Sequence, residues 1–352
     1  MPSFFQTSPS LKEIVFALSL LGLAGCKLAE ETIDSGIGLV RDCGVESLED
    51  VANLRTISDE CKMALIELLP EFEDNLANAL VPLGNKTFDG KSVLFFAAAN
   101  SDGSPLTTEK SQLIKVTAIS AEAETVLDTT QYALKKLREY SGHNIAVSAI
   151  VDYSGSMSDA DLADAAEIYH DLFSALRETS SFEANVLFFS DSVSEMQPFT
   201  DDATSIQQVL QMNIDYERGG TALFDAIGTG LTGLRDRDEP IRLLVIATDG
   251  LENFSQVYTR KDALYTLARE ERIPIIILGA LLADLSLLRQ MAKETNGIFM
   301  YNRLFLYLKR DISRLSTMLA ESIALELRQQ EEEWERIRIE ANGKRIELPL
   351  LR

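Results

Sequence analysis

The feature of this sequence that most constrains its fold is a regular alternation of strand-like and helix-like segments over residues 143–328. Short runs of branched apolar side chains, such as Ile145–Val151 and Arg242–Thr248, alternate with amphipathic segments such as Asp159–Glu178. Continuous apolar runs are typical of strands that are buried on both faces, whereas spaced apolar residues mark one face of a helix. The pattern predicts an α/β fold, in which a doubly wound, mostly parallel sheet carries helices on both faces.

The remaining elements of this segment follow the same rule. Further strands are predicted at Ala184–Phe189, Ile273–Leu278 and Gly297–Tyr301, with an edge strand at Val193–Phe199. Helices are predicted at Ala222–Leu234 and Lys261–Glu271, and a long closing helix is marked by Leu304, Leu308, Leu315, Leu319 and Ile323. In such folds, ligands bind beyond the carboxyl ends of the strands, where the strand order reverses.

The flanking regions indicate a smaller accessory module. Residues 26–84 are predicted to form short helices, with Phe72, Leu76 and Leu80 at helical spacing, and residues 120–142 a linking helix. Residues 85–119 contain two strand patterns, at Ser92–Ala98 and Leu113–Ile119. Residues 329–352 form a hairpin pattern around an Asn-Gly pair that favours a type I′ turn. We expect this hairpin to join the strands of residues 85–119.

The first residues indicate export. Ile14–Leu23 is an apolar run too short to span a bilayer, and it has the size of a signal-peptide core, so residues 1–25 are predicted to be a signal peptide. The run ends in Leu-Ala-Gly-Cys, which resembles the lipobox of bacterial lipoproteins. The resemblance implies acylation of Cys26 and a lipid anchor at the bacterial cell envelope. A buried amino-terminal helix with an incidental cysteine is the alternative.

The other two cysteines depend on that interpretation. In an exported protein, Cys43 and Cys61 form an even pair, as expected for one disulfide. In a protein that is not exported, two free thiols are expected instead.

Composition excludes one class of partner. The formal net charge is -22, from 55 acidic and 33 basic residues. Nucleic-acid binding draws on clusters of Lys and Arg, so it is not expected here.

Three polar clusters lie where the ligand edge of the predicted sheet should be. Asp152-Tyr153-Ser154-Gly155-Ser156 follows one strand, Gly219-Gly220-Thr221 opens a helix, and Thr248-Asp249-Gly250 ends another strand. Their side chains offer two carboxylates and several hydroxyls. Such hard oxygen donors suit Mg²⁺, Mn²⁺ or Ca²⁺, whereas zinc prefers nitrogen and sulfur. The Gly pair would let the backbone turn tightly towards the ion.

These residues resemble the metal-ion-dependent adhesion site of von Willebrand factor A domains. That family has the pattern Asp-x-Ser-x-Ser, a distant Thr and a distant Asp, which is met here by Asp152, Ser154, Ser156, Thr221 and Asp249. The words GGTALFDAI (Gly219–Ile227) and TDGLEN (Thr248–Asn253) also match bacterial members. The resemblance covers residues 143–328, about half of the chain. It implies that the three hydroxyls contact the ion directly or through water and that the two carboxylates lie close, often holding bound water.

The function that this resemblance implies is binding rather than catalysis. Neutral hydroxyls leave the ion electrophilic on its open side, where a Glu or Asp carboxylate of a protein partner would complete its coordination. His143 and His170 are the only histidines, and no hydrolase or phosphate-loop motif is present. We therefore expect an adhesion or protein-binding module and no enzyme. An intracellular partner of an AAA+ ATPase and a metal-dependent hydrolase are the alternatives.

Four residues near the motifs are expected to play supporting roles. Met157 and Phe254 flank the motif loops and could form an apolar rim, although packing within the domain is the favoured interpretation. Asp191 and Asp225 are interpreted as structural rather than ligating. Asp225 falls in the first turn of a predicted helix, where acids are favoured by the helix dipole.

The lipobox interpretation makes a direct prediction. Metabolic labelling with palmitate should mark the full chain, and Cys26→Ser should abolish the label. Cys43→Ser is the matched control and should label like the parent. Labelling that survives Cys26→Ser would contradict the anchor.

Overall fold

The computed structural model describes residues 72–74, 76–140, 143–179, 181–212, 219–249, 252–280, 283–302, 304–328, 330–331 and 333–350. The predictions made for residues 1–71, which include Cys26, Cys43 and Cys61, lie outside the described residues. Among those described, no helix is both long and apolar enough to cross a bilayer.

The described residues form two modules, whose elements we number in chain order. The strands are β1 (Phe72–Asp74), β2 (Leu80–Phe88), β3 (Lys91–Ala98), β4 (Ile114–Ile119), β5 (Glu124–Val126), β6 (Tyr132–Lys136), β7 (His143–Asp152), β8 (Ser181–Phe189), β9 (Val193–Thr200), β10 (Ile241–Thr248), β11 (Ile275–Ala280), β12 (Ile298–Asn302), β13 (Ile323–Leu327), β14 (Arg336–Ala341) and β15 (Lys344–Pro349). The α-helices are α1 (Asp159–Thr179), α2 (Ala203–Leu210), α3 (Leu223–Arg235), α4 (Lys261–Glu271), α5 (Leu285–Glu294) and α6 (Phe305–Ala320).

The larger module is a seven-stranded sheet with the order β1-β12-β11-β10-β7-β8-β9. Its five central strands are parallel, and both edge strands are antiparallel to their neighbours. The central strands are buried along their length, as in Leu243–Ala247. Burial of successive residues requires that other elements cover both faces of the sheet. The predicted α/β fold with a mostly parallel sheet is therefore confirmed. The sequence patterns did not predict α2 or α5.

The second module is a β-sandwich of two four-stranded antiparallel sheets. Their orders are β2-β3-β13-β6 and β15-β14-β4-β5. Its apolar core is separate from that of the larger module and includes Phe96, Val116, Leu325, Trp334 and Ile339. The hairpin turns through Asn342 and Gly343, whose φ angles of 51° and 77° are both positive, as a type I′ turn requires. Strand β14 of the hairpin pairs with β4, which joins it to residues 85–119 as expected.

The linking helix predicted over residues 120–142 is wrong. This stretch contains β5, β6 and a short 3₁₀ turn at Leu137–Glu139. Strand β6 pairs along its length with β13, the neighbour of β3 in the same sheet. Tyr132 and Leu134, two residues apart, both pack against the sandwich core. Core-facing residues therefore recur at every second position in this segment, as in a strand, and not at helical spacing.

Two further boundaries differ from the sequence prediction. Leu76 packs in the core of the larger module, whereas Leu80 opens β2 and packs against the sandwich core, so these two residues do not share a helix face. The closing helix ends at Ala320, and Ile323 begins β13 of the sandwich. Ser322 ends the helix by donating both its N–H, at 3.2 Å, and its hydroxyl, at 2.5 Å, to the Leu319 carbonyl. The larger module therefore ends before the predicted residue 328.

The two modules meet where β2 passes the start of β10. Gly84 has a φ of 143°, and a Cβ at this position would collide with the carbonyl oxygen of Pro240. Only glycine permits so close an approach of the two backbones. In addition, α6 continues after a short turn into β13, so the chain itself connects the two modules.

One ion-pair cluster, built around the largely buried carboxylate of Glu326, stabilises the first sheet of the sandwich. Glu326 of β13 accepts from Lys91 at 3.1 Å and from Lys135 at 2.7 Å, and its side chain is only 12% exposed. These lysines, Lys135 first, hold the pKa of Glu326 below its usual range, although burial opposes the shift. Because the folded-state pKa is lowered, the ionised carboxylate stabilises the fold above the unfolded-state pKa of about 4.3. That stabilisation is lost as the pH falls through the lower folded-state value.

We therefore predict that Glu326→Gln lowers the free energy of unfolding by about 1–2 kcal/mol at neutral pH. The deficit should shrink towards zero in acid, where Glu326 of the parent is also neutral. Urea denaturation at pH 7 and in strong acid, below the lowered folded-state pKa of Glu326, measures both values. Glu122→Gln, an exposed turn position, is the control and should match the parent throughout. A deficit that is equal at both pH values would contradict the ion-pair account.

Candidate metal centre

The candidate site lies where two adjacent parallel strands of the large sheet end. Strands β7 and β10 are neighbours, with Ala247 opposite Val151, so Asp152 and Thr248 are the next residues of the two strands. After β7 the chain goes to β8 on one side, and it later returns to β10 on the other side. The strand order thus reverses between β7 and β10, which is the position where ligands bind in such sheets.

Asp152 is the most buried carboxylate of this site. Its Oδ1 accepts from the Ser154 N–H at 2.9 Å, and its Oδ2 accepts from the Thr248 hydroxyl at 2.5 Å. The side chain is inaccessible to solvent, and this burial raises the pKa of Asp152 even though its hydrogen bonds to Ser154 and Thr248 lower it. A cation nearby would offset the cost of keeping this charge away from water.

A chain of hydrogen bonds joins three further residues. The hydroxyl oxygens of Ser154 and Ser156 are 3.1 Å apart, and the Ser156 hydroxyl donates to Asp249 Oδ1 at 2.7 Å. Because Ser156 has one proton and donates it to Asp249, Ser154 is the donor within the serine pair. All three side chains are buried. The structure thus brings together four of the five residues that the sequence singled out.

The fifth residue, Thr221, is linked to this cluster through the backbone. The Gly155 N–H donates to the Gly219 carbonyl at 3.0 Å, which places the loop that carries Thr221 against the serine loop. The Thr221 side chain is 2% exposed, and its N–H donates to Asn253 Oδ1 at 2.7 Å. The third loop, which follows β10, therefore holds Thr221 in place.

The two glycines before Thr221 allow this close packing. A Cβ at Gly219 would overlap the carboxylate of Asp191, and a Cβ at Gly220 would collide with Phe254. Asp191 accepts from the Gly220 N–H and so positions the loop, in line with its interpretation as structural.

Two carboxylates fasten the loop after β10 to the start of α3. Asp225 accepts from the N–H groups of Gln256, Val257 and Tyr258 at 2.7–3.0 Å. Glu252 accepts from Phe224 N at 2.8 Å, from Phe254 N at 3.1 Å and from both the N–H and the hydroxyl of Ser255 at 2.8 Å and 2.7 Å. Asp225 is therefore structural, as expected. The roles of Thr248, Glu252 and Asn253 are not predicted by the sequence pattern, although all three residues lie in the TDGLEN segment.

The two apolar residues of the motif loops differ. Met157 is 2% exposed and belongs to the core of the large module, so it packs within the domain as expected. Phe254 is 40% exposed, so it remains accessible beside Gly220.

The donor set fits a hard divalent cation. It consists of hydroxyl and carboxylate oxygens, with no nitrogen or sulfur among the five residues. Ser154, Ser156 and Thr221 would hold the ion directly or through water, with Asp152 and Asp249 close to it. The described residues contain no cluster of three or more His, Cys, Asp or Glu side chains arranged to hold a metal.

A comparison with protein families decides what this module is. The profile of the von Willebrand factor type A domain matches residues 147–317. This segment is a von Willebrand factor type A domain. The matched residues begin within β7 and end within α6. The match therefore covers the large module from Val147 onward and does not include any strand of the sandwich.

Solved structures resemble the chain at low sequence identity. BatB from Bacteroides thetaiotaomicron is 18% identical, with 50% of this chain and 98% of that chain covered and a TM-score of 0.42. A von Willebrand factor type A protein from Catenulispora acidiphila is 13% identical, with 79% of this chain and 71% of that chain covered and a TM-score of 0.46. Proximal thread matrix protein 1 from the mussel byssus, with zinc in its MIDAS motif, is 15% identical, with 57% of this chain and 50% of that chain covered and a TM-score of 0.44. No curated protein sequence matches the chain.

The geometry predicts that the A domain is stabilised by Mg²⁺. An ion that binds only the folded state, at about a hundred times its dissociation constant, adds roughly 2.7 kcal/mol. For a domain of this size, that corresponds to a rise in Tm of about 5–10 °C. Thermal unfolding with Mg²⁺ and with EDTA measures the difference.

Substitutions at the serines should remove this effect. Ser154→Ala combined with Ser156→Ala should abolish the Mg²⁺-dependent rise while circular dichroism shows a folded protein. Ser174→Ala, on an exposed face of α1, should leave the rise unchanged. If the parent shows no rise with Mg²⁺, Mn²⁺ or Ca²⁺, the metal centre is refuted.

Proposed function

We propose that this protein binds a protein partner through a divalent cation, which Ser154, Ser156 and Thr221 hold together with Asp152 and Asp249. The observation that carries the proposal is the buried chain of hydroxyl and carboxylate oxygens, with spacings of 3.1 Å and 2.7 Å, at the ends of β7 and β10. Mg²⁺ fits best, because it keeps several water molecules and needs few protein donors.

The charge of the site determines the chemistry of the partner. The two carboxylates balance the charge of a divalent ion, but they lie beside it, and the groups that contact it are neutral hydroxyls. An ion held in this way attracts one more anionic oxygen, and an Asp or Glu side chain of a partner supplies it. The net charge of -22 does not prevent this contact, because the cation reverses the sign of the local field.

Binding without catalysis is part of the proposal. A hydrolase needs a general base near the reacting group, and His is the usual choice. His170 is exposed and shares a hydrogen bond of 2.8 Å with Gln207, which connects α1 to α2. The carboxylates at the site accept hydrogen bonds from hydroxyl and backbone donors. These hydrogen bonds hold the carboxylates in place, as a cation site requires.

We further propose that the protein acts at the bacterial cell envelope, with a lipid on Cys26. The support is the apolar run Ile14–Leu23 and the Leu-Ala-Gly-Cys sequence that ends it. An anchor of this kind would hold the A domain near a membrane without a spanning helix. Adhesion or assembly of envelope components is the role that this location favours.

A peptide-library experiment tests the proposed function. The full chain is immobilised in detergent and offered two random peptide pools, one with a fixed central Asp or Glu and one with Asn or Gln at that position. In Mg²⁺, the carboxylate pool should bind and the amide pool should not, because only a carboxylate completes the coordination of the ion. EDTA should release the bound peptides.

The serine variant is the control for this experiment. Ser154→Ala combined with Ser156→Ala should bind neither pool, whereas Ser174→Ala should behave like the parent. Equal retention of the two pools, or retention that persists in EDTA, would contradict a partner bound through the cation.

A further inference from the structure

Among the residues that the structure describes, the exposed large apolar side chains are concentrated at the edge that carries the candidate metal centre. Seven large hydrophobic residues are exposed in the part of the chain that the structure describes. Leu113 and Val126 belong to the sandwich. The other five lie in the A domain: Met212, Phe254, Val257, Leu306 and Tyr307. Exposed apolar residues that gather at one edge of a protein are a better indication of an interaction surface than residues exposed singly.

The positions of these five residues follow from the topology. Phe254 and Val257 are in the loop that follows β10, and Leu306 and Tyr307 are in the first turn of α6, which follows β12. Both strands are parallel to β7, so their carboxyl ends lie at the same edge as Asp152. Met212 lines a groove of about 730 Å³ together with Tyr153, the neighbour of Asp152.

Phe254 is directly beside the metal centre. Its ring lies over Gly220, where a Cβ would come within 2.9 Å of it, and its N–H donates to the Thr221 carbonyl at 3.3 Å. Thr221 is one of the three proposed ligands, so a group bound to the ion would sit close to this ring. The ring is nevertheless 40% exposed.

Val257 is more exposed, at 77%, yet it is not on a loose loop. Its N–H donates to Asp225 Oδ1 at 3.0 Å, and Glu252 holds the preceding residues of the same loop. These hydrogen bonds hold residues 252–258 in place before any partner arrives, which lowers the entropy lost when a partner binds. A segment held in this way, which exposes two large apolar side chains next to the candidate cation site, is suited to a partner with both an anionic and an apolar group.

We propose that Phe254 and Val257 form the apolar half of the partner-binding surface of this protein. The partner segment would carry a large apolar side chain next to the Asp or Glu whose carboxylate meets the cation. The cation supplies charge complementarity for the acid, and the loop buries the apolar neighbour. This inference rests on the proposed function and specifies its class of partner.

The test uses two carboxylate pools that differ only beside the acid. In one pool the residues flanking the central Asp or Glu are Leu or Phe, and in the other they are Ser. In Mg²⁺, the parent should bind the apolar-flanked pool about tenfold more tightly, a factor that burial of one such side chain readily supplies. Phe254→Ser combined with Val257→Ser should bind both pools equally.

Two controls separate the possible outcomes. Leu113→Ser combined with Val126→Ser removes the exposed apolar residues of the sandwich and should keep the tenfold preference. The Mg²⁺-dependent rise in Tm should persist in the Phe254/Val257 variant, which shows that its metal centre is intact. If the parent binds both pools equally in Mg²⁺, or if the preference survives in that variant, the inference is overturned while the proposed function stands. If no carboxylate pool binds in Mg²⁺, both fail.

Discussion

The buried carboxylate of Asp152, at the end of β7, is the constraint on which the candidate site depends. A charge without access to water is costly unless hydrogen bonds and opposite charge compensate for it. The Ser154 N–H and the Thr248 hydroxyl supply two hydrogen bonds, but burial still raises the pKa of this group. Asp249, the first residue after β10, is also buried, and its carboxylate accepts a hydrogen bond from the Ser156 hydroxyl. Two such acids at adjoining strand ends are the basis for the proposal that a cation binds between these loops.

The surrounding structure positions the loops of this candidate site through their backbone N–H groups. Asp191, Asp225 and Glu252 do not belong to the donor set, yet each accepts N–H groups that fix a loop of the site. Asn253 holds the Thr221 N–H in the same way. The acidic composition is therefore partly used to position loops, in addition to keeping the surface soluble. The same contacts hold Phe254 and Val257 in fixed positions at the edge of the site.

Parts of this structure could be predicted from the sequence because they depend on local patterns. Buried parallel strands such as β7 and β10 are continuous apolar runs, and their carboxyl ends identify Asp152 and Asp249 without knowledge of contacts. The sandwich is harder to predict from the sequence, because its strands pair with strands that are far away along the chain. Strand β13 pairs with β3 and β6, and nothing local in Ile323–Leu327 distinguishes it from one more turn of α6. The roles of Thr248 and Glu252 also follow from contacts between loops, which spacing in the sequence does not reveal.

Anomalous diffraction can locate the cation that Asp152, Ser154, Ser156, Thr221 and Asp249 are proposed to surround. Crystals of the full chain soaked in Mn²⁺, an anomalous scatterer that replaces Mg²⁺, would be measured near the manganese absorption edge. The account predicts one strong peak at about 2.1 Å from the hydroxyl oxygens of Ser154 and Ser156, the distance typical of Mg²⁺ sites. The peak should lie between those serines and Thr221 and be absent from the Ser154→Ala/Ser156→Ala variant. Crystals that show no peak between these loops at saturating Mn²⁺, or a peak elsewhere, would contradict the account.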